Sequence, residues 1–231
     1  MAFLRSTPRA RHGLAWFLAT LLAACSGRHG DAQQASAPSG PDSAQQDAAS
    51  TAECEGHVLV KAMPPKATIG GLPFKRWSCT FNAITAIYGD DNGREVDVSL
   101  TDTRSPGLDK PDVAPGVKAT FERQRNMTKA TLQMMLDTID GMKANPELLP
   151  AYGGPDYLSV ALPEPTGDRL VIEVPRKDDG GPVQVVALPR DRYVLGIQAK
   201  DHGTAVGGMT ASQAQALYDP FIKAYHPERL P

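Results

Sequence analysis

The sequence predicts an α+β fold, with a mainly antiparallel sheet and two amphipathic helices after a disordered tether. Short stretches alternate apolar and polar residues around Asp- and Gly-rich turns, which is typical of half-buried strands in hairpins. Two longer stretches repeat apolar residues at helical spacing. The order is a hairpin, a helix, several strands and a second helix. Strands grouped in this way, without regular βαβ alternation, favour an antiparallel sheet.

The first hairpin is predicted over residues 80–102. Residues 81–88 are strand-like, and residues 89–93 end in Asn-Gly, the strongest short hairpin signal. In residues 96–101, Val and Leu alternate with Asp, Ser and Thr, which indicates a strand with one wet face. Residues 103–116 are rich in Pro and Gly, so we expect a loop there.

A helix is predicted over 126–143, because five apolar residues fall on one face at a spacing of 3.6. They are Leu132, Met135, Leu136, Ile139 and Met142. Residues 144–156 contain three prolines and a Gly-Gly pair and are expected to form a loop. Residues 157–162 are a short strand candidate.

Three further strands and a closing helix complete the predicted elements. The strands cover 169–174, 183–188 and 193–199, and residues 177–181 form a turn between the first two. Thr210 and Gln213 have the spacing of a capping box, so we expect a helix to begin there. Its apolar stripe comprises Ala214, Leu217, Phe221 and Tyr225, with Tyr218 and Ile222 beside it. Pro220 is expected to kink or split this helix.

The N-terminal 25 residues have the pattern of an export signal. Arg5, Arg9 and Arg11 precede an apolar run over 14–22, about half the length that a membrane span needs. Leu22-Ala23-Ala24-Cys25 closes the run and resembles the lipobox of bacterial lipoprotein signals. The resemblance implies removal of residues 1–24 as a signal peptide, lipidation of the Cys25 thiol and acylation, such as palmitate, of the new amino terminus. A plain secretory signal with an incidental Cys is the alternative.

The resemblance also implies a location. Ser26, which follows the lipidated position, implies sorting to the outer membrane in a Gram-negative host. The protein would then be lipid-anchored and face the periplasm, with surface exposure as an open alternative. Cleavage would leave 207 residues with 21 basic and 26 acidic side chains, a net charge of −5. A mildly acidic chain argues against nucleic-acid binding and against a polybasic lipid-binding surface.

Residues 25–53 are predicted to be the lipidated Cys and a disordered tether, because they contain no large apolar residue. Residues 54–231 are long enough for one periplasmic domain with a real core. Cys54 and Cys79 are the remaining cysteines, and in an oxidising compartment such a pair is most simply a disulfide bond. Free thiols or a redox or metal role are the alternatives, which no CxxC spacing supports.

Parts of the body resemble small exported proteobacterial lipoproteins. Ala86-Ile87-Tyr88 and residues 96–103 resemble their early hairpin, and residues 192–197 with the closing helix resemble their final strand and helix. That group has no assigned activity. The resemblance implies the order of the elements and a lipoprotein role, and it carries no catalytic residue.

The sequence predicts no catalytic residue, no metal site and no cofactor. Gly-x-Ser-x-Gly does not occur, and His57, His202 and His226 share no helical spacing. The acidic turns at 90–93 and 178–181 lack the ligand spacing of an EF-hand loop, and Asx-Gly turn chemistry explains both. The methionines at 127, 134, 135 and 142 are interpreted mainly as helix core rather than as an adaptable groove.

These observations predict a lipid-anchored envelope protein that acts by binding. The expected partner is a protein, and an inhibitor or immunity-type factor is one form of that role. Loops 103–116 and 200–209 are expected to provide the contact surfaces. Two alternatives remain: an enzyme that acts on cell-wall or outer-membrane material through dispersed acids, and a carrier of a small apolar ligand.

Overall fold

The computed structural model describes residues 51–164 and 168–231. The predicted signal peptide, Cys25 and the tether up to residue 50 lie outside the described residues. All described residues belong to one compact unit. Residues 51–54 are helical, so the described chain begins in regular structure just before the first body cysteine.

The fold is α+β, with an eight-stranded antiparallel sheet and helices, as the sequence predicts. The strands are β1 (Phe74–Cys79), β2 (Ala83–Gly89), β3 (Arg94–Asp102), β4 (Val160–Pro163), β5 (Arg169–Glu173), β6 (Gln184–Ala187), β7 (Tyr193–Asp201) and β8 (Thr204–Ala205). The longer helices are α1 (Val117–Ala144) and α2 (Ala211–Ala224). Short 3-10 turns connect several elements, among them Pro106–Asp109.

Two meanders join at the centre of the sheet. The strand order is β1-β2-β3-β7-β6-β5-β4, and β8 pairs with the end of β7. β3 and β7 pair along nine residues, from Arg94 opposite Asp201 to Asp102 opposite Tyr193. α1 links the two meanders, because the chain leaves β3 at one end of the sheet and must reach the far edge at β4.

The larger core lies between one face of the sheet and α2 together with residues 54–72. Even-numbered residues of β3 and odd-numbered residues of β7 point into it, as the period of two requires. Tyr218 is fully buried there, and its hydroxyl donates to the Val183 carbonyl at 2.6 Å and accepts from the Ala199 amide at 3.1 Å. The C-terminal helix is thereby attached to β7 and to the residue that directly precedes β6.

A smaller core lies on the other face, beneath α1. It combines Leu132 and Ile139 of the helix with Val171, Val186, Leu188 and Val194 of the second meander. Among the described residues, this cluster contains none from β1, β2 or β3. α1 therefore covers one end of the second meander on this face, around Val171, Val186 and Val194.

The structure corrects several element boundaries. α1 begins at residue 117, nine residues before the predicted start. The prediction missed Val117–Arg125 because this segment is mainly polar and carries no apolar stripe. β1 was not predicted, since a register shift between Phe74 and Arg76 breaks the alternation that marks a strand. β4 begins at Val160, after a 3-10 turn that takes the first residues of the predicted strand.

The closing helix begins with the predicted capping box at Thr210 and Gln213. Pro220 does not split it, and the helix is continuous to Ala224. Its most buried face is Ala214, Tyr218 and Phe221, so Tyr218 lies at the centre of the stripe and Leu217 at its flank. Among the described residues, no helix combines the length and the hydropathy needed to cross a bilayer.

Candidate binding surfaces

One half of the sheet presents a polar surface on the side opposite the larger core. We call it the open face, and it comprises Arg76, Ser78, Thr85, Ile87, Asp97, Ser99, Gln198 and Lys200, from β1, β2, β3 and β7. All of these residues except Ile87 are partly or fully exposed. The face lies beside α1 rather than beneath it, because the apolar contacts of α1 with β7 stop at Val194.

A continuous row of side chains crosses six strands on this side of the sheet. Strand register aligns Arg76, Ile87, Asp97, Gln198, Gln184 and Glu173 from β1 to β5. Five of the six are polar or charged. A register shift of one residue would move the entire row into the larger core, so the register of the sheet determines this surface.

The two acids of the row differ in their environment. Asp97 Oδ2 accepts from Lys200 Nζ, while Asp97 Oδ1 is buried and has no hydrogen-bond partner among the described residues. Glu173 Oε2 accepts from Gln184 Nε2 at 2.7 Å. Burial raises the pKa of Glu173 above its ordinary value, and the Gln184 hydrogen bond only partly offsets this effect. The row therefore contains acceptor capacity that the described residues do not use.

The neighbouring row is built from small side chains, Ser78, Thr85, Ser99 and Gly196. The Ser99 hydroxyl donates to the Gly196 carbonyl at 3.1 Å. A Cβ at position 196 would lie 2.9 Å from Ser99 Oγ, so glycine is required for this close approach. Small residues here leave a shallow strip between the polar row and α1.

A cleft of about 260 Å³ lies where loop 103–109 meets the first turns of α1. We call it the charged cleft. Its lining residues are Thr103, Arg104, Ser105, Leu108, Asp109, Lys118, Glu122 and Arg125. Lys118 Nζ and Asp109 Oδ1 are 2.6 Å apart and join the loop to the helix. One wall of the cleft is formed by residues 117–125 of α1, the part of the helix that precedes the predicted start.

Ion pairs surround the rim of the charged cleft. Asp191 accepts from Arg104 and Lys129, each at 3.0 Å. The hydrogen bond from Lys129 is the main cause of the lowered pKa of Asp191, and the charges of Arg104 and Arg125 lower it further. Asp102 is buried and accepts from Arg192 Nε at 2.9 Å and Nη2 at 2.7 Å. Arg104 and Lys129 thus share the carboxylate of Asp191, and Arg125 acts on it only through its charge.

The two loops that the sequence predicts as contact surfaces lie at opposite ends of β3 and β7. Residues 103–109 follow the end of β3, whereas residues 202–203 form the turn beyond the opposite end, between β7 and β8. Nine strand residues separate them, which is about 30 Å. The open face lies between the two loops.

The β7–β8 turn also packs against the first hairpin. The His202 amide donates to the Gly93 carbonyl at 2.8 Å, and a Cβ at position 93 would lie 2.4 Å from the His202 ring. Gly93 has a φ of 84°, which also requires glycine. The Asn-Gly turn is therefore needed for contact with a second turn as well as for its own geometry.

The three body histidines lie in separate places. His57 accepts from the Leu59 amide in the N-terminal segment, His202 lies in the β7–β8 turn, and His226 contacts Glu228 after α2. Within residues 51–164 and 168–231, no group of three or more His, Cys, Asp and Glu side chains is arranged to hold a metal ion. Asp90 accepts from the Asn92 and Arg94 amides, which is the expected Asx-turn chemistry.

The predicted disulfide is present between Cys54 and Cys79. It attaches the start of the described chain to the edge strand β1, where the Trp77 amide also donates to the Thr51 hydroxyl. In α1, Met142 is buried and Met135 packs on the smaller core, while Met134 is about half exposed.

Scans of family models, curated proteins and solved structures find no match for this chain, so its function is argued from these surfaces.

Proposed function

We propose that this is a lipid-anchored envelope protein that binds a protein partner in the periplasm through its open face. The observation that carries the proposal is the row of five polar side chains and Ile87 across six strands, which lies beside the part of the sheet that α1 covers. Protein interfaces combine such polar contacts with a flat, ordered backbone. The lipobox and the tether, read from the sequence, would hold this surface close to the membrane.

The described surfaces favour a protein partner over a small apolar ligand. The charged cleft is lined by three cationic and two acidic side chains, whereas a carrier of apolar molecules needs a mainly apolar cavity. The open face offers donors, acceptors and both signs of charge, which suits a second protein surface. An inhibitor or immunity-type factor, which blocks a toxic envelope-acting enzyme, is the form of this role that we favour.

The test is capture of the partner by the full chain, with an affinity tag inserted in residues 40–50 and the protein purified in detergent. Gln198→Arg introduces a bulky charge at the centre of the open face. Gln215→Arg introduces the same change at an exposed position of α2, on the other side of the sheet. We expect one stoichiometric partner whose affinity falls at least about thirtyfold with Gln198→Arg, as at an interface centre, and is unchanged with Gln215→Arg.

Two results would contradict the proposal. Equal binding by both variants would show that the open face is not the contact surface, and the loops at 103–116 and 200–209 would then be tested in the same way. If well-folded protein captures no partner from host and competitor extracts, the binding role is contradicted and an enzymatic role is favoured. In that case Glu173, the half-buried acid with a raised pKa, would be the first residue to replace in assays on cell-wall material.

A further inference from the structure

We propose that the charged cleft is a binding site for a single small oxyanion, a carboxylate or a phosphate group. This inference does not depend on the open face or on the proposed protein partner. It rests on the shape of the cleft, on the supply of hydrogen-bond donors in it and on one cation without a carboxylate partner.

The size of the cleft limits what it can accept. Its volume of about 260 Å³ is below the range of about 300–1,000 Å³ that is typical of sites for whole small molecules. One oxyanion group with its first carbon or phosphorus substituent fits such a space. The walls are Thr103 to Asp109 on one side and the first two turns of α1 on the other, so both walls belong to regular or hydrogen-bonded structure.

Arg125 is the group that carries the inference. Arg125 lines the cleft and is half-buried, yet no carboxylate lies within 4.0 Å of its guanidinium nitrogens among the described residues. Its recorded side-chain hydrogen bond is a long one, 3.4 Å to Asn126 Oδ1. A guanidinium has five N–H donors in a fixed fork that matches carboxylate and phosphate oxygens. Arg125 therefore holds unused donors at the cleft.

Arg104 supplies a second set of donors. Its Nη2 contacts Asp191 at 3.0 Å, and that single contact leaves the other guanidinium N–H groups for a ligand. The Ser105 hydroxyl oxygen accepts from the Gly107 amide at 3.3 Å, so its proton is also available for donation. Arg104, Ser105 and Arg125 all line the cleft, so two guanidinium groups and one hydroxyl are available there as donors.

The two acids in the lining of the cleft only partly neutralise its three cations. Asp109 is paired with Lys118, and Glu122 is exposed on α1. Three cations against two acids leave one net positive charge in the lining. This surplus is consistent with the lowered pKa of Asp191 at the rim, which Lys129, Arg104 and Arg125 all favour as a carboxylate. An added anion would be stabilised by the charge that Asp191 alone does not neutralise.

The test is a titration of the ¹⁵N-labelled full chain in detergent with inorganic phosphate and, separately, with an acetylated Glu-Glu dipeptide, at constant ionic strength. We expect saturable shifts in the amides of residues 103–109 and 118–125. Arg125→Gln should weaken binding about tenfold, since a charge-assisted hydrogen bond is removed. Arg123→Gln removes the same charge from an exposed position two residues away and is the matched control.

The two ligands distinguish the source of the oxyanion. Saturation by phosphate alone assigns a phosphate ligand, and saturation by the dipeptide alone assigns a carboxylate ligand; both results support the site. Shifts that do not saturate, or equal weakening by Arg125→Gln and Arg123→Gln, would show general charge attraction and overturn the proposal. Thermal unfolding of each variant shows that it is folded, and Arg125→Lys, which keeps the charge but not the fork, should bind with intermediate affinity.

Discussion

At the scale of single residues, Asp102 shows how a buried charge is satisfied at the end of β3. Its carboxylate accepts two hydrogen bonds from Arg192, which directly precedes the paired strand β7, and one from the Arg104 amide at 2.9 Å. The Asp102 side chain is 4% exposed. A buried carboxylate with this set of donors is stable only as a unit, because removal of one partner leaves an uncompensated charge.

We expect Arg192→Met to lower the free energy of unfolding by about 3–5 kcal/mol, because Asp102 would remain buried without its guanidinium. Urea denaturation measures the change. Arg104→Met is the control, since Arg104 forms an ion pair with Asp191 in which both side chains are nearly half exposed, and its loss should cost about 1 kcal/mol or less. Equal losses in the two variants would contradict this account.

The contribution of Glu173 to the stability of the folded protein is expected to depend on pH. Because burial raises its pKa in the folded state, the ionised form destabilises the folded protein at neutral pH. The folded state takes up the proton before the unfolded state as the pH falls. The contribution of Glu173 to stability therefore rises as the pH falls through the folded pKa, and is complete below the unfolded pKa.

We therefore expect Glu173→Gln to raise the melting temperature at pH 7 and to lose this advantage near the ordinary glutamate pKa of 4.5. The Gln carbonyl still accepts the hydrogen bond from Gln184. Thermal unfolding of both proteins between these pH values is the measurement. Glu147→Gln, at an exposed position after α1, is the control and should leave the melting temperature unchanged. A lower melting temperature for Glu173→Gln at pH 7 would refute the argument.

At the scale of elements, α2 illustrates a boundary determined by local chemistry. The Gln213 amide donates to the Thr210 hydroxyl at 3.3 Å, and the Thr210 amide donates to Gln213 Oε1 at 2.9 Å. These reciprocal bonds satisfy two backbone donors at the start of the helix. The spacing of the two residues is visible in the sequence, so the start of α2 was predictable.

Thr210→Ala is expected to cost about 1 kcal/mol, because the capping hydroxyl is lost. For a body of this size that corresponds to a fall of roughly 2–4 °C in melting temperature. Thermal unfolding followed by circular dichroism checks it. Thr210→Ser keeps the hydroxyl and should behave like the parent; a similar fall in both variants would mean that the methyl group, not the cap, matters.

Other element boundaries involve contacts outside the element itself. The first part of α1 has no apolar stripe, and Lys118 there pairs with Asp109 of the preceding loop. β1 contains a register shift, and a disulfide and the Thr51 hydroxyl tie it to the preceding segment. Neither feature leaves a periodic pattern, so local pattern analysis misses them.

At the scale of the whole molecule, the predicted anchor would determine where the folded body acts. The anchor would keep the body near the membrane, and two or more acyl chains make such an attachment nearly irreversible. The open face and the charged cleft lie on the same side of the sheet as α1, so a partner and a small anion would both approach from that side.

Cys25→Ser should release the protein from the membrane fraction, because the thiol that carries the lipid is lost. Fractionation followed by immunoblotting measures it, and a high-salt wash removes protein held only by charge. Ser26→Ala, beside the lipidated position, is the control that keeps the thiol and should remain in the membrane fraction. Retention of Cys25→Ser after the wash would refute lipidation at this residue.

The sequence by itself determined the α+β class, the first hairpin, the cap of α2 and the pairing of Cys54 with Cys79. These features depend on local turn chemistry, on the period of two or 3.6, and on the simple count of cysteines. The positions of the two candidate surfaces, in contrast, depend on the tertiary structure. The polar row exists because register aligns residues from Arg76 to Glu173, and the charged cleft exists because α1 extends to meet loop 103–109. The polar row joins residues far apart in the chain, and the cleft joins a loop to a helical segment without an apolar stripe, so no periodic pattern in the sequence reveals either surface.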